Sequence, residues 1–359
     1  MITLSNDIDG NCNITSTSNL AELIRQTVLI IWDEVPMQHK ACFEAVNQTL
    51  NDICGGENNN SIFGGIPIVL GGDFAQILSV VRRGSKHSTI QASIQHSTIW
   101  SQLHILRLKH NMRMVAGTSN LGFLQFLKSI VENPLYYGTL KLPEVIHTVD
   151  SVDTLCSIIY PTNILQTASD NPNTFKGRSI LSYTNDTVKE FNEKLIHTMP
   201  GELHEFMSMN SVDLNDDAVE AEPFPAEYLQ SIDLPSIPPA ILQVKVGTPI
   251  ILLRNISSKQ ELCNGTRLRI VALGRNCIKG AILGGDWDGH IRLLPSIKLT
   301  SNEEDLLFIL TRKQLPIKLC FAMTVNKSQG QSLQYVGVNL RTNAFTYGQL
   351  YVALSRVHH

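Results

Sequence analysis

The chain has 359 residues, 43% hydrophobic and 17% charged, with a formal net charge of -3 and a pI near 6.4. That is the composition of an ordinary globular protein with room for two or three domains, and it excludes a globally basic nucleic-acid binder; any such surface has to be local. Seven scattered cysteines without a C-x-x-C pair exclude a disulfide scaffold and a cysteine-built zinc site, no apolar run is as long as a membrane span, and Met1–Asp7 carries no signal-peptide pattern, so the expected location is intracellular.

Residues 5–19 are polar and predict a loop, and Leu20 to Gln26 predict a short helix. Val28-Leu29-Ile30-Ile31-Trp32 is a continuous apolar run leading into Asp33 and Glu34. Such a run predicts a parallel strand buried on both faces, with the two carboxylates at its ligand-binding end. Apolar positions from Gln38 to Ile53 fall on one helical face, and Gly55-Gly56 stops that helix. A second buried strand, Ile66 to Leu70, ends in Gly71-Gly72-Asp73-Phe74-Ala75-Gln76, which completes one βαβ unit.

Further along, the pattern predicts a short helix over 91–100, a strand over 104–108 and a helix through Leu121, Leu124, Leu127 and Ile130. No role is assigned to 134–178. Ser179 to Ser182 predicts a strand, with Asn185 or Asp186 capping the helix that follows. Residues 210–240, acidic and proline-rich, predict a solvated linker. An all-β stretch follows, with a strand over Thr248 to Leu253 and hairpin dipeptides Asn264-Gly265 and Asp288-Gly289. Leu315 to Ala322 and Tyr335 to Leu340 predict strands, the first ending in Met323 to Ser332, and a final helix carries Gln349 to Arg356.

Carboxylates, a glutamine and late arginines at strand and helix ends are the parts of phosphoryl transfer between two α/β lobes. Each part taken singly has a plainer explanation: Asp33-Glu34 as a helix cap, Gln76 likewise, Arg113 as a solvated charge, Arg356 as complement to a helix C-terminus.

The stretches LIIWDEVPM (29–37), GGDFAQILSVV (71–81), LKHNMR (108–113), YTNDTVKEFNEKL (183–195), KVGTPIILLRN (245–255), LCNGTRL (262–268), CFAMTVNKSQGQSL (320–333) and GQLYVALSRV (348–357) together resemble the petite-integration-frequency (Pif-type) DNA helicases, and more narrowly their Helitron-transposon branch. The resemblance runs through nearly the whole chain in family order. It implies an α/β fold of two RecA-like P-loop NTPase lobes, the first incomplete, with a small β-barrel inserted in the second. Residues 1–108 would be the remainder of the first lobe, 109–225 and 300–359 the second, and 226–299 the barrel. The implied activity is ATP-dependent 5′–3′ translocation on single-stranded DNA and unwinding at duplex junctions, with ATP and Mg²⁺ as cofactors and no membrane partner. Carried over residue by residue, Asp33 would hold Mg²⁺, Glu34 would activate water, Gln76 would read the γ-phosphate, and Arg113 and Arg356 would be arginine fingers. Asp73, Gln329 and Gly330 would join Asp33 around the nucleotide, and Thr324, Asn326, Lys327 and Ser328 would meet DNA. The eukaryotic flavour of the branch implies a nuclear location.

Three features depart from the family. The sequence contains no G-x-x-x-x-G-K-[ST] loop, Ala75 stands where the family places arginine, and Ser79 where it places proline. Without those loop amides the β- and γ-phosphates lack a cradle, so the chain as given is expected to bind ATP poorly and not to unwind DNA. The loop would precede Met1, as in a truncated gene model or decayed transposon copy. The alternatives are an ATP-independent single-strand-binding remnant and an inert relic with an exposed sheet edge.

Overall fold

The computed structural model describes residues 12–55, 61–81, 84–108, 121–132, 140–213, 224–301 and 306–357. They divide into two compact units, Met1–Pro143 with Ala344–Val352, and Glu144–Asn343 with Ala353–His359.

In the first unit the Ser18 hydroxyl accepts from the Ala21 amide and starts α1 (Asn19–Arg25). The predicted βαβ unit follows as β1 (Ile30–Trp32), α2 (Lys40–Cys54) and β2 (Ile68–Leu70). The strands are parallel, with Ile30 opposite Ile68 and Trp32 opposite Leu70. The apolar stripe of α2 buries Phe43, Leu50 and Ile53, and Phe43 and Leu50 meet Val35, Phe63, Ile94 and Ile99 in one core against which Ile30, Trp32, Ile68 and Leu70 pack. α3 (Lys86–Gln91) and α4 (Leu121–Glu132) complete the helices described here.

Three expectations for this unit are corrected. The Val28–Trp32 run is not buried on both faces: alternate side chains point away from the core, leaving Ile31 73% and Val69 53% exposed. Residues 104–108 form no strand, because no described strand pairs with them, and Leu106 and Leu108 are exposed. The helix expected over 91–100 breaks at Ser93, whose hydroxyl accepts from the Gln95 amide and turns the chain into a short 3₁₀ segment, Ile94–His96.

The second unit opens on α5 (Val152–Ile159) and α6 (Thr162–Gln166), then β3 (Arg178–Ser182) and α7 (Asn185–Thr198). Thr184 caps α7, one residue earlier than expected, its Oγ1 accepting from the Thr187 amide. The β-rich part contains β4 (His204–Met207), β5 (Met209–Asp213), a short α8 (Ala226–Ser231), β6 (Ile241–Val244), β7 (Pro249–Leu252), β8 (Arg267–Leu273), β9 (Cys277–Ile282), β10 (Ile291–Pro295), β11 (Ile297–Thr300), β12 (Ile309–Gln314) and β13 (Ile317–Leu319). β14 (Ala322–Thr324), β15 (Tyr335–Val338) and α9 (Gln349–Leu354) follow, the division between units falling inside α9.

Among the described residues four sheets make up this unit, the smallest being the antiparallel pair β4-β6. β14-β3-β15 is parallel and carries α5 and α7; β10-β9-β8-β7-β13 is antiparallel with its own apolar core; β11-β12-β5 forms a third. The single strand expected over 315–322 is therefore two strands in two sheets. The switch occurs at Cys320-Phe321: the Cys320 amide donates to Pro249 of the antiparallel sheet, and the Phe321 carbonyl accepts from Ile180 of the parallel one. Asn192 pins the parallel sheet, its side-chain amide bonding both the amide and the carbonyl of Ala322. Arg267 and Arg269 tie β8 to the preceding α/β segment by donating to the carbonyls of Arg178 and of Ala168 and Ser169.

The linker expected over 210–240 is also corrected, for the described part of it. Leu229 and Ile237 are buried with Leu299 and Leu310. The segment wraps the fully buried Arg312, whose guanidinium donates to the carbonyls of Leu229, Ile232 and Pro238 and to Asn210 Oδ1. Proline-rich backbone has carbonyls to spare and few amides, which suits it to surround a five-donor cation.

Candidate functional site

In the first unit, the carboxyl ends of β1 and β2 are stitched together beyond the ladder. The Gly71 amide donates to the Trp32 carbonyl, and the Val35 amide donates to the Gly71 carbonyl. This draws the Asp33-Glu34 pair against the Gly71-Gly72-Asp73 turn, so tightly that a Cβ on Gly71 would stand 3.0 Å from Asp33 Oδ1 and one on Gly72 2.3 Å from Pro36 Cδ. The glycines are there for close approach. Asp33 is exposed, and its Oδ1 accepts from the Glu34 amide at 2.9 Å. Glu34 has left-handed backbone, φ 54°, a conformation that costs a non-glycine residue about 1–2 kcal/mol and concentrates at functional turns.

Asp73 closes its own turn, Oδ1 accepting from the Ala75 amide, while Oδ2 accepts from the Tyr351 hydroxyl at 3.4 Å. Gln76 follows, and its Oε1 is buried without a hydrogen-bond partner among the described residues. An amide oxygen left unsatisfied in such a place is a costly feature unless a ligand or water completes it. The backbone of Gly348, φ +78°, lies directly on the Gln76–Ile77 peptide: a Cβ there would meet the Gln76 carbonyl oxygen at 2.3 Å. Asp33, Glu34, Asp73 and Gln76 thus share one sheet edge. Gly348 and Tyr351 belong to it too, and the sequence reading missed both; their signal was the Gly-Gln-Leu-Tyr motif, which was read for its arginine alone.

Arg113 lies outside the described residues. The remaining candidates are in the second unit. Thr324 ends β14 and leads into a 3₁₀ turn, Val325–Ser328. Ser328 is fully buried and its hydroxyl donates to the Val325 carbonyl, so it shapes the turn from inside. Gly330 supplies a positive φ of 76°, and the Gln331 side chain donates to the Lys327 carbonyl. Lys327 is half-buried; desolvation first, and the nearby Lys318 charge second, hold its ammonium below the ordinary lysine pKa. Asn326 and Gln329 are half-buried on the same turn. Arg356, 3% exposed, donates to Ser355 Oγ and to the Gln331 carbonyl, which fixes the guanidinium beside the end of that turn. Thr324 to Gln331 and Arg356 therefore form one constellation.

Among the described residues no group of histidine, cysteine, aspartate and glutamate side chains is arranged to hold a metal by protein ligands alone. A single exposed carboxylate such as Asp33 suits Mg²⁺, which keeps most of its waters and binds through one or two carboxylates plus substrate phosphates. No described helix is long and apolar enough to cross a membrane.

Comparison with known proteins converges on one family. The family model for PIF1-like helicases matches residues 1–130, and the model for the 2B domain of DNA helicase Pif1 matches 227–273. The human ATP-dependent DNA helicase PIF1 is 29% identical over 183 residues, 48% of this chain and 24% of that protein. The ATP-dependent DNA helicase RRM3 of Saccharomyces cerevisiae is 22% identical over 420 residues, 96% of this chain and 52% of that protein. The chain thus matches between about a quarter and about half of the length of these relatives. Its fold is similar to that of the Bacteroides Pif1 helicase solved with ADP-AlF3 and single-stranded DNA, at a TM-score of 0.65 and 18% identity over 100% of this chain and 74% of that one. The fold is therefore of the RecA-like, two-lobe α/β kind. The motifs, the two family models and relatives aligned along almost its entire length agree, and the chain is similar throughout to the PIF1-like helicases.

Proposed function

We propose that this chain is part of an ATP-driven motor that moves 5′ to 3′ along single-stranded DNA and opens duplex junctions, acting on nuclear DNA. The observation that carries it is the shared edge of β1 and β2, where Asp33, Glu34, Asp73 and the unsatisfied Gln76 amide oxygen are held by backbone stitching. ATP would supply the phosphoanhydride that powers stepping, and a bound Mg²⁺ would supply charge neutralisation at its phosphates. Asp33 would hold that metal through its hydration shell, Glu34 would take the proton of the attacking water, and Gln76 would orient that water and read the terminal phosphate. By the family resemblance, Arg113 and Arg356 would be the arginine fingers, and Gln329 and Gly330 would serve the nucleotide. Thr324, Asn326 and Lys327 face the strand backbone, and Ser328 holds their turn. Contacts of that kind carry no base information, as a motor stepping over every sequence requires.

The 359 residues contain no glycine-lysine phosphate loop, so by themselves they bind single-stranded DNA without turning over ATP. That absence is also what favours the second reading, an ATP-independent single-strand binder. Phosphate release in the presence of single-stranded DNA separates the two. We expect background turnover from these residues alone, and DNA-stimulated turnover once a strand and G-x-x-x-x-G-K-[ST] loop precede them in the chain. Glu34→Gln in that longer chain should abolish it. Turnover near about 10 s⁻¹ from the 359 residues alone, the median for enzymes, would contradict the missing-cradle account; a longer chain that stays silent would leave the binder.

A further inference from the structure

Three buried cations reach from the β-rich part of the second unit to the α/β segment before it, and two of them are left incomplete. Lys245 is accounted for: its ammonium donates to the Met199 carbonyl at the C-terminal end of α7, where the helix dipole favours positive charge. Arg267 and Arg269 are not. They are 6% and 7% exposed and stand two residues apart on β8, on one face of the strand and about 7 Å apart at Cα. Arg267 donates through Nη2 to the Arg178 carbonyl at 2.8 Å, and Arg269 through Nη1 to the Ser169 and Ala168 carbonyls at 3.0 and 3.3 Å. The Nε of each is buried without a hydrogen-bond partner among the described residues, and neither guanidinium forms an ion pair with them. The other charges bordering this joint are engaged. Lys176 holds Asp288 at 2.6 Å, and Arg178 lies over the Tyr335 ring at 3.8 Å. Exposed Asp170 takes the Ser169 hydroxyl and acts on Arg269 from beyond ion-pair distance, against a desolvation that pulls the Arg269 pKa down.

A guanidinium has five N–H donors, and one or two carbonyls leave most of them, and all of the charge, unanswered. Water completes hydrogen bonds but brings no charge to offset two buried cations side by side, whereas an anion does both. The flat guanidinium fork matches the oxygens of a tetrahedral oxyanion. Pro249 and Ala281, the cross-strand neighbours of Arg269, are short, so nothing bulky stands beside it in the sheet. We propose that Arg267 and Arg269 hold a small inorganic oxyanion of the phosphate class through their Nε–H groups, and that this anion completes the joint between β8 and the 168–178 segment. The depth of both side chains suits a free anion and not a phosphate in a nucleic-acid backbone, which carries chain on two sides. The site is separate from the motor reading and does not rest on it.

The test uses the whole chain. Crystals soaked in selenate, a tetrahedral oxyanion with an anomalous signal, are expected to show a peak within hydrogen-bond distance of Arg267 Nε and Arg269 Nε. In solution, inorganic phosphate at about tenfold its Kd and constant ionic strength should raise the melting temperature by about 3–6 °C over chloride. Arg269→Gln should lose that rise, while Lys279→Gln, which removes an exposed cation from neighbouring β9, should keep it. Water alone on both Nε atoms, or an equal rise in Arg269→Gln from general salting-out, overturns the proposal, and the diffraction result decides it where that variant does not fold. A selenate peak with no rise in solution marks an adventitious ion only and also overturns it. A rise given by oligo-dT but not by free phosphate, and lost in Arg269→Gln, assigns the arginines to a strand and overturns it too.

Discussion

Replacing Arg312 by methionine is expected to cost the second unit about 3–5 kcal/mol and to lower its melting temperature on the order of 10 °C. The guanidinium is fully buried and holds three carbonyls and the Asn210 side chain. Methionine fills similar volume but leaves those acceptors unpaired in the interior, and an unsatisfied buried carbonyl costs about 1–3 kcal/mol, not additively. Desolvation already pulls the Arg312 pKa down, with Asp233 pushing the other way, so the cation stays because its acceptors hold it. Arg312→Lys should recover only part of the loss, since one ammonium cannot span four acceptors set for a planar fork. Lys298→Met, on the exposed face of neighbouring β11, should stay within about 0.5 kcal/mol of wild type. An Arg312→Met protein that unfolds in urea at the wild-type midpoint would mean the proline-rich wrap is held by something else.

The second large effect is expected at Gly348. A valine there has to adopt φ +78° and to place its Cβ 2.3 Å from the Gln76 carbonyl oxygen and 2.8 Å from the Ile77 amide. The backbone conformation alone costs about 1–2 kcal/mol, and the clash is with peptide groups that cannot rotate aside, so the sum is about 3 kcal/mol or more. The loss should be local. Amide hydrogen exchange is expected to show lost protection from Asp73 to Ile77 and at the start of α9, while β8 and β9 of the second unit keep theirs. Tyr351, whose hydroxyl reaches Asp73, is displaced with it. Unchanged exchange at Gln76 and Ile77 would contradict the close packing on which that edge depends.

How much of this was legible in the sequence varies with the range of the interaction. The βαβ unit, the strand at 178–182 and the helix after it were readable because their apolar periods and caps are local, and Thr184 for Asn185 is a one-residue slip of the cap. The carboxylates at strand ends followed from the same periodicity. Long-range pairing was not readable. Nothing local says that Leu315–Ala322 changes sheets at Cys320-Phe321, because the switch is made by Pro249 and Ile180. Acidic, proline-rich composition suggested solvent for 224–240, whereas a cation 80 residues away in sequence from Ile232 gathers its carbonyls. Ile31 and Val69 looked like two-sided core because an apolar run does not report which faces are covered. Lys318 read only as an interruption in a strand; its ion-pair partner Asp233 comes from the supposed linker, so the pairing had no sequence signature.

The central claim is that the second unit grips the DNA backbone and ignores the bases. The most direct measurement is the affinity of the wild-type chain for oligo-dT, mixed-sequence single strands and duplex of equal length, each across a salt series. The account predicts single-strand affinities equal within about threefold, a slope of about -0.7 for each phosphate engaged, and weaker binding to duplex. Strong preference for one base sequence, or binding indifferent to salt, would contradict it.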